Sequence, residues 1–138
     1  ANVSSLETAE EVYAHPSVAY WACWYAVYVL KSRWIEGEDV IKTSPKCSYW
    51  YIKVVLKSRW AEAEATIKKD PEWAYWYARE SLQSRWIEAE GVIKESPEWA
   101  YKYAIYVLKS RWLEAEDVIK TSPEWYGFYK SFFGIEEV

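Results

Sequence analysis

Leu108-Lys-Ser-Arg-Trp-Leu-Glu-Ala-Glu-Asp-Val-Ile119 decides how this chain is read, because its parts recur at a fixed distance. The tripeptide Ser-Arg-Trp begins at Ser32, Ser58, Ser84 and Ser110, a period of 26 residues. Leu30, Leu56, Leu82 and Leu108 stand before it. The pairs Glu36/Glu38, Glu62/Glu64, Glu88/Glu90 and Glu114/Glu116 follow it, then Ile41, Ile67, Ile93 and Ile119, and each unit closes on Pro45, Pro71, Pro97 or Pro123. A period of this length marks stacked supersecondary units. The expected organisation is one helical-repeat domain over 1–138, with units near 5–31, 32–57, 58–83, 84–109 and 110–135.

Proline sets the helix starts. Ser44, Asp70, Ser96 and Ser122 each precede a proline, an N-cap oxygen followed by the residue best suited to the first helical position. Helix A is expected to run about 12 residues from there, through Trp99–Leu108 in one unit, and to stop near Lys-Ser-Arg-Trp. Helix B is shorter, about 8 to 10 residues, opening with two glutamates and ending near Lys42, Lys68, Lys94 or Lys120. Ala100, Ala104, Val107 and Leu108 share one face of helix A, and Trp99, Tyr103 and Tyr106 form a second stripe, so it reads as apolar nearly all round. Helix B shows one apolar edge, Trp112, Ala115, Val118 and Ile119, with its acidic residues outward. A hairpin this small cannot bury such aromatic surface alone. The expected fold is all-α, an α-solenoid of about ten short helices in five stacked hairpins.

Composition narrows the function classes. Eleven Trp, 13 Tyr and 3 Phe among 138 residues, against 4 Gly and 5 Pro, exclude disordered and collagen-like chains. Seventeen basic residues interspersed among 21 acidic ones leave no basic face for nucleic acid. The uncharged aromatic-rich stretch Val18–Leu30 falls about 7 residues short of a membrane span. His15 is the only histidine, and Asp39, Asp70 and Asp117 the only aspartates. No phosphate loop, metal-ligand spacing or nucleophile–histidine pair appears, so no enzyme activity, catalytic residue, metal or cofactor is expected. The glutamate pairs read as solvated groups that complement helix dipoles. The repeated arginine reads as stacked on the tryptophan that seals the hairpin turn, or as an Arg-on-aromatic ligand site, for a glycan for example. The lack of Met, with one Asn and one Gln, fits a hot or harsh habitat or drift within a low-complexity repeat.

Cys23 stands where other units have Tyr49, Tyr75 and Tyr101, and Cys47 where they have Trp73, Trp99 and Trp125. These positions lie two residues apart on a helix, about 200° around it. With A helices side by side, the cysteines meet across the first interface, where later ones place Tyr against Trp. A Cys23–Cys47 disulfide is expected, closing a loop of 24 residues and contributing about 3.5 kcal/mol; two buried thiols are the alternative. A bridge implies an oxidising compartment or a hyperthermophile's interior. Asn2-Val-Ser4 matches the glycosylation sequon, a weak sign of secretion. An extracellular location is expected, with a cytoplasmic one as the alternative.

The ends break the pattern. Ser5–Val12 aligns with helix B, and Trp125–Phe133 forms one more A-like helix, giving B-A five times. Pro16 lies 29 residues before Pro45, so the first helix A should carry an extra turn. Half-units at the two ends would let copies join head to tail, Trp125, Phe128, Phe132 and Phe133 meeting Leu6, Val12 and Tyr13 of the next copy. The alternative is that both are caps, which usually turn a polar face outward. The three Phe, found only in the last helix, favour an interface.

The unit Glu98-Trp-Ala-Tyr-Lys-Tyr-Ala-Ile-Tyr-Val-Leu-Lys-Ser-Arg-Trp-Leu-Glu-Ala-Glu-Asp-Val-Ile119 resembles short helical repeats in uncharacterised proteins of bacteria and phages. Those read approximately Tyr-Ala-x-x-Tyr-Ala followed by Leu-Lys-Gly-Arg-Trp/Phe-Pro-Glu-Ala-Glu. The likeness covers nearly the whole chain, with Ser in place of Gly and no Pro after Trp. It implies a fold and no activity. More distantly the array is similar to tetratricopeptide solenoids, whose period of about 34 residues is longer. The expected role is a structural repeat protein that polymerises with copies of itself into an extracellular filament. The alternative is a monomeric interaction module binding another protein, such as a phage-related inhibitor or adaptor.

Overall fold

The computed structural model describes residues 18–136, and among them every regular element is helical. The chain divides into two compact units, Ala1–Ile67 and Lys68–Val138, at the junction between one helix B and the next proline. The first unit holds α1 (Val18–Trp24), α2 (Ile35–Ile41), α3 (Pro45–Tyr51) and α4 (Ala61–Ile67). The second holds α5 (Pro71–Trp76), α6 (Ile87–Ile93), α7 (Pro97–Tyr103), α8 (Leu113–Ile119) and α9 (Pro123–Phe133). That is nine helices among the described residues. The expected helix over Ser5–Val12 lies outside them. So does most of the expected extra turn, although α1 already begins one residue ahead of the position equivalent to Pro45.

The N-caps form as the sequence predicts. The Oγ atoms of Ser44, Ser96 and Ser122 accept from the backbone N–H of Cys47 (3.2 Å), Trp99 (3.4 Å) and Trp125 (3.4 Å). Asp70 Oδ1 accepts from both Glu72 (3.0 Å) and Trp73 (3.2 Å). Helix B is a little shorter than expected, 7 residues in each of its four copies.

Helix A has the expected length, but its last turns are wider than an α-helix. Tyr25–Leu30, Ile52–Leu56, Tyr77–Leu82 and Ala104–Leu108 continue α1, α3, α5 and α7 as π-helix. The residue that ends each one, Lys31, Lys57, Gln83 or Lys109, is left-handed, with φ of 54, 54, 54 and 57°. Its N–H reaches back to the carbonyl of Ala26, Ile52, Ala78 or Ala104. In three of the four units the serine of Ser-Arg-Trp donates to the same oxygen, at 3.4, 3.2 and 3.3 Å. One carbonyl near each helix end is thereby satisfied. A side chain in this conformation costs about 1–2 kcal/mol, and glycine recovers part of it while losing more entropy on folding. Lys57→Gly is therefore expected to raise stability by about 0.5 kcal/mol, read as a higher midpoint in thermal denaturation; a lower midpoint contradicts this account of the turn.

In the first unit α1 packs on α2 and α3, and α3 on α4; in the second α5 packs on α6 and α7, and α7 on α8 and α9. The contact is close because the middle of helix A is small: Ala22, Ala26, Ala74, Ala78, Ala100 and Ala104 are fully buried. Ser48 replaces one such alanine and donates its hydroxyl to the Ile41 carbonyl at 3.1 Å. Helix B contributes Ala63, Ala89, Ala115, Ile41, Ile67, Ile93 and Ile119, all at zero exposure. The second stripe assigned to helix A is only partly inward. Tyr103 is buried, whereas Tyr106 is 49% exposed, since three residues along a widened helix carry it past the packed face.

Candidate functional site

The most repeated polar arrangement is built on Ser-Arg-Trp. Arg33 forks onto Glu38, with Nε 2.8 Å from Oε2 and Nη2 3.2 Å from Oε1. Arg59 does the same with Glu64 (2.6 and 2.9 Å), Arg85 with Glu90 (2.6 and 2.9 Å) and Arg111 with Glu116 (2.9 and 2.9 Å). At Arg33, Arg85 and Arg111 a tyrosine from the following helix A completes the clasp. The hydroxyls of Tyr51, Tyr103 and Tyr129 donate to Glu38, Glu90 and Glu116 at 2.8, 2.6 and 2.7 Å. They accept in turn from the backbone N–H of Trp34, Trp86 and Trp112 at 2.8, 2.9 and 2.8 Å.

Two expectations change here. Both glutamates of each pair were expected in solvent. Glu36, Glu88 and Glu114 are exposed, but Glu38, Glu90 and Glu116 are 8% exposed. Residues at i and i+2 diverge on a helix, so one faces water and the other faces the turn. The arginine, expected to stack on tryptophan, is held by that inward carboxylate. The Arg111 fork keeps the Glu116 carboxyl below the usual range, helped by Tyr129 and opposed by burial. Burial, then the adjacent Glu116, push the Tyr129 hydroxyl up to about 12. Tyr51 and Tyr103 move the same way. A carboxylate held charged by a fork and a phenol fixes a turn and is poorly suited to proton transfer.

Tyr51 and Tyr103 also tie one turn to the next. Tyr51 bonds to the Trp34 amide while its ring lies 5.4 Å from that of Trp60; Tyr103 bonds to Trp86 and packs 4.9 Å from Trp112. The sequence held a signal for this in the tyrosine that recurs 18 residues after each arginine, at 51, 77, 103 and 129. A buried tyrosine needs a partner for its hydroxyl.

Cys23 and Cys47 do meet, at the position where Tyr75 faces Trp99 and Tyr101 faces Trp125, each pair with ring centroids 5.5 Å apart. They are free thiols and the expected disulfide is absent. Cys23 Sγ donates to the Cys47 carbonyl at 3.4 Å, so it points at backbone and not at the other sulfur. Burial raises both thiol pKa values, which keeps them protonated and unreactive.

Of the residues assigned to a subunit interface, Leu6, Val12 and Tyr13 lie outside the described residues, as does Asn2. The others are on α9. Trp125 is half-buried against Tyr101, Phe133 packs 4.8 Å from Tyr129, and Phe128 and Phe132 are 51% and 58% exposed. Among the described residues no group of three or more His, Cys, Asp and Glu side chains could hold a metal ion, and no helix is long and apolar enough to cross a membrane. No protein-family model, curated protein or solved structure matches the chain.

Proposed function

We propose that this protein is a non-catalytic helical-repeat scaffold that associates with copies of itself through the aromatic edge of α9. The observation that carries this reading is the exposure of Phe128 and Phe132, at 51% and 58%, on the same edge as Trp125. Spaced i, i+3 and i+7, the three rings form one stripe. Phe128 stands where α7 has Lys102, and Phe132 where the same repeat carries Tyr106, so this edge is the more apolar of the two. Large apolar groups gathered on a surface mark a contact site. The repeated ionisable chemistry is engaged inside the turns, which leaves packing as the molecule's main resource. If the edge meets a different surface of the next copy, the contact propagates without closing and produces a filament.

Light scattering after size exclusion, with electron microscopy of the same samples, tests the proposal. The wild-type chain is expected to form species larger than 16.4 kDa that grow with concentration into rods. Phe128→Glu combined with Phe132→Glu should remain monomeric with unchanged helical circular dichroism. A wild-type monomer at its solubility limit, or equal assembly by the variant, overturns it.

A further inference from the structure

One helix A departs from the repeat over a single turn. Other units read Val27-Tyr-Val29, Lys53-Val-Val55 and Ile105-Tyr-Val107, whereas this one reads Arg79-Glu-Ser81. Gln83 then replaces the lysine that other units place at the left-handed position. Four polar or altered residues fall together within five positions.

Arg79 is held firmly. Its guanidinium carbon lies 4.2 Å from the ring centre of Tyr106 and 5.5 Å from that of Trp76, and Nη1 donates to the hydroxyl of buried Tyr75 at 2.9 Å. A guanidinium has five N–H donors. The adjacent Glu80 carboxylate is 3.9 Å from Nε, beyond hydrogen-bond distance, so most of these donors stay available. Beside them is a groove of about 150 Å³, lined by Arg79, Gln83, Ser84, Tyr106, Val107 and Lys109. Two cationic side chains and an amide line it, with a phenol ring and an aliphatic side chain on the wall, while the Ser84 hydroxyl donates to the Arg85 carbonyl at 3.3 Å. The space is that of about five water molecules.

We propose that this groove binds a short-chain carboxylate. Arg79, pre-aimed by the rings and by Tyr75, forks onto the carboxylate. Lys109 supplies the second positive charge, the Gln83 side chain supplies a neutral donor, and Tyr106 with Val107 covers the carbon chain. Glu80 is the opposing charge and weakens the site. The inference stands whether or not α9 mediates assembly.

The test is a nuclear magnetic resonance titration of the full chain with sodium succinate at constant ionic strength, with sodium sulfate as the comparison anion. Saturable shifts are expected at the amides of Gln83, Ser84, Tyr106 and Lys109, with Kd on the order of 1 mM for a ligand of this size. Arg79→Ile copies Ile105 of the next unit and should fold; it should weaken binding about tenfold, while Glu80→Gln should tighten it a few-fold. Arg79→Lys keeps the charge without the fork and should also bind more weakly, which decides the matter if Arg79→Ile is unstable. Shifts that grow linearly without saturation, an equal response to sulfate, or unaltered binding in both Arg79 variants overturns the proposal.

Discussion

Tyr103→Phe is expected to lower stability by about 3 kcal/mol although it deletes one oxygen. That oxygen accepts from the Trp86 backbone N–H at 2.9 Å and donates to Glu90 at 2.6 Å, and the tyrosine has no solvent exposure. Phenylalanine keeps the ring against Trp112, so apolar packing is nearly preserved. The orphaned N–H costs about 1–3 kcal/mol and the lost bond to a charged acceptor about 1.5 kcal/mol more. Chemical denaturation measures the difference, with Tyr28→Phe as the control. Tyr28 is 52% exposed, and its variant should stay within about 0.5 kcal/mol of wild type. Equal effects at the two positions would mean the hydroxyl of Tyr103 is not structurally engaged.

Glu116→Ala and Glu114→Ala, two residues apart, should differ sharply. The first removes the acceptor shared by Arg111 and Tyr129 and is expected to cost about 2 kcal/mol. Arg111 is 45% exposed and can turn to water, which keeps the loss below that of a fully buried ion pair. The second removes an exposed carboxylate and should cost less than about 0.5 kcal/mol. The pH dependence follows from the same contacts. Because Arg111 holds the folded-state pKa of Glu116 low, its contribution is present above the unfolded value of about 4.3 and is lost as pH falls through the folded one. Because burial raises Tyr129 to about 12, its contribution is present below the unfolded value of about 10 and is lost as pH rises from there toward 12. The acid limb of a stability–pH profile should be shallower in Glu116→Ala and unchanged in Glu114→Ala.

Much of the architecture was legible because it depends on local signals repeated in phase. Proline after serine or aspartate placed four helix starts, and the spacing of Tyr75 to Trp99 and Tyr101 to Trp125 predicted which rings would face each other. The same phase brought Cys23 to Cys47. Whether two thiols bond depends on where each sulfur points, and a spacing rule carries no such information. With the bridge gone, so is the cysteine argument for an oxidising compartment. The two glutamates part ways for a related reason. Glu114 and Glu116 look alike in sequence, and the one that is buried is chosen by a tyrosine in the next helix A and an arginine in the preceding turn. The left-handed Lys57 and its kin were hidden because lysine there runs against its own preference and is held by the π-helical end beneath it. The aromatic fraction changes meaning accordingly. Several tyrosines serve as both packing and polar links, while Phe128 and Phe132 on α9 and Tyr106 beside Arg79 are surface rings with no comparable internal task.

The repeats beginning at Ser32, Ser84 and Ser110 each build a clasp that anchors a buried tryptophan amide on a tyrosine from the next helix A. Hydrogen exchange at the amides of Trp34, Trp86 and Trp112 tests it directly, since none of the three is bonded within a helix. The account predicts that all three are protected like amides in the centres of the A helices, and that Trp86 alone loses protection in Tyr103→Phe. Exchange of the three at loop rates in the wild-type chain, or an unchanged Trp86 in the variant, would contradict it.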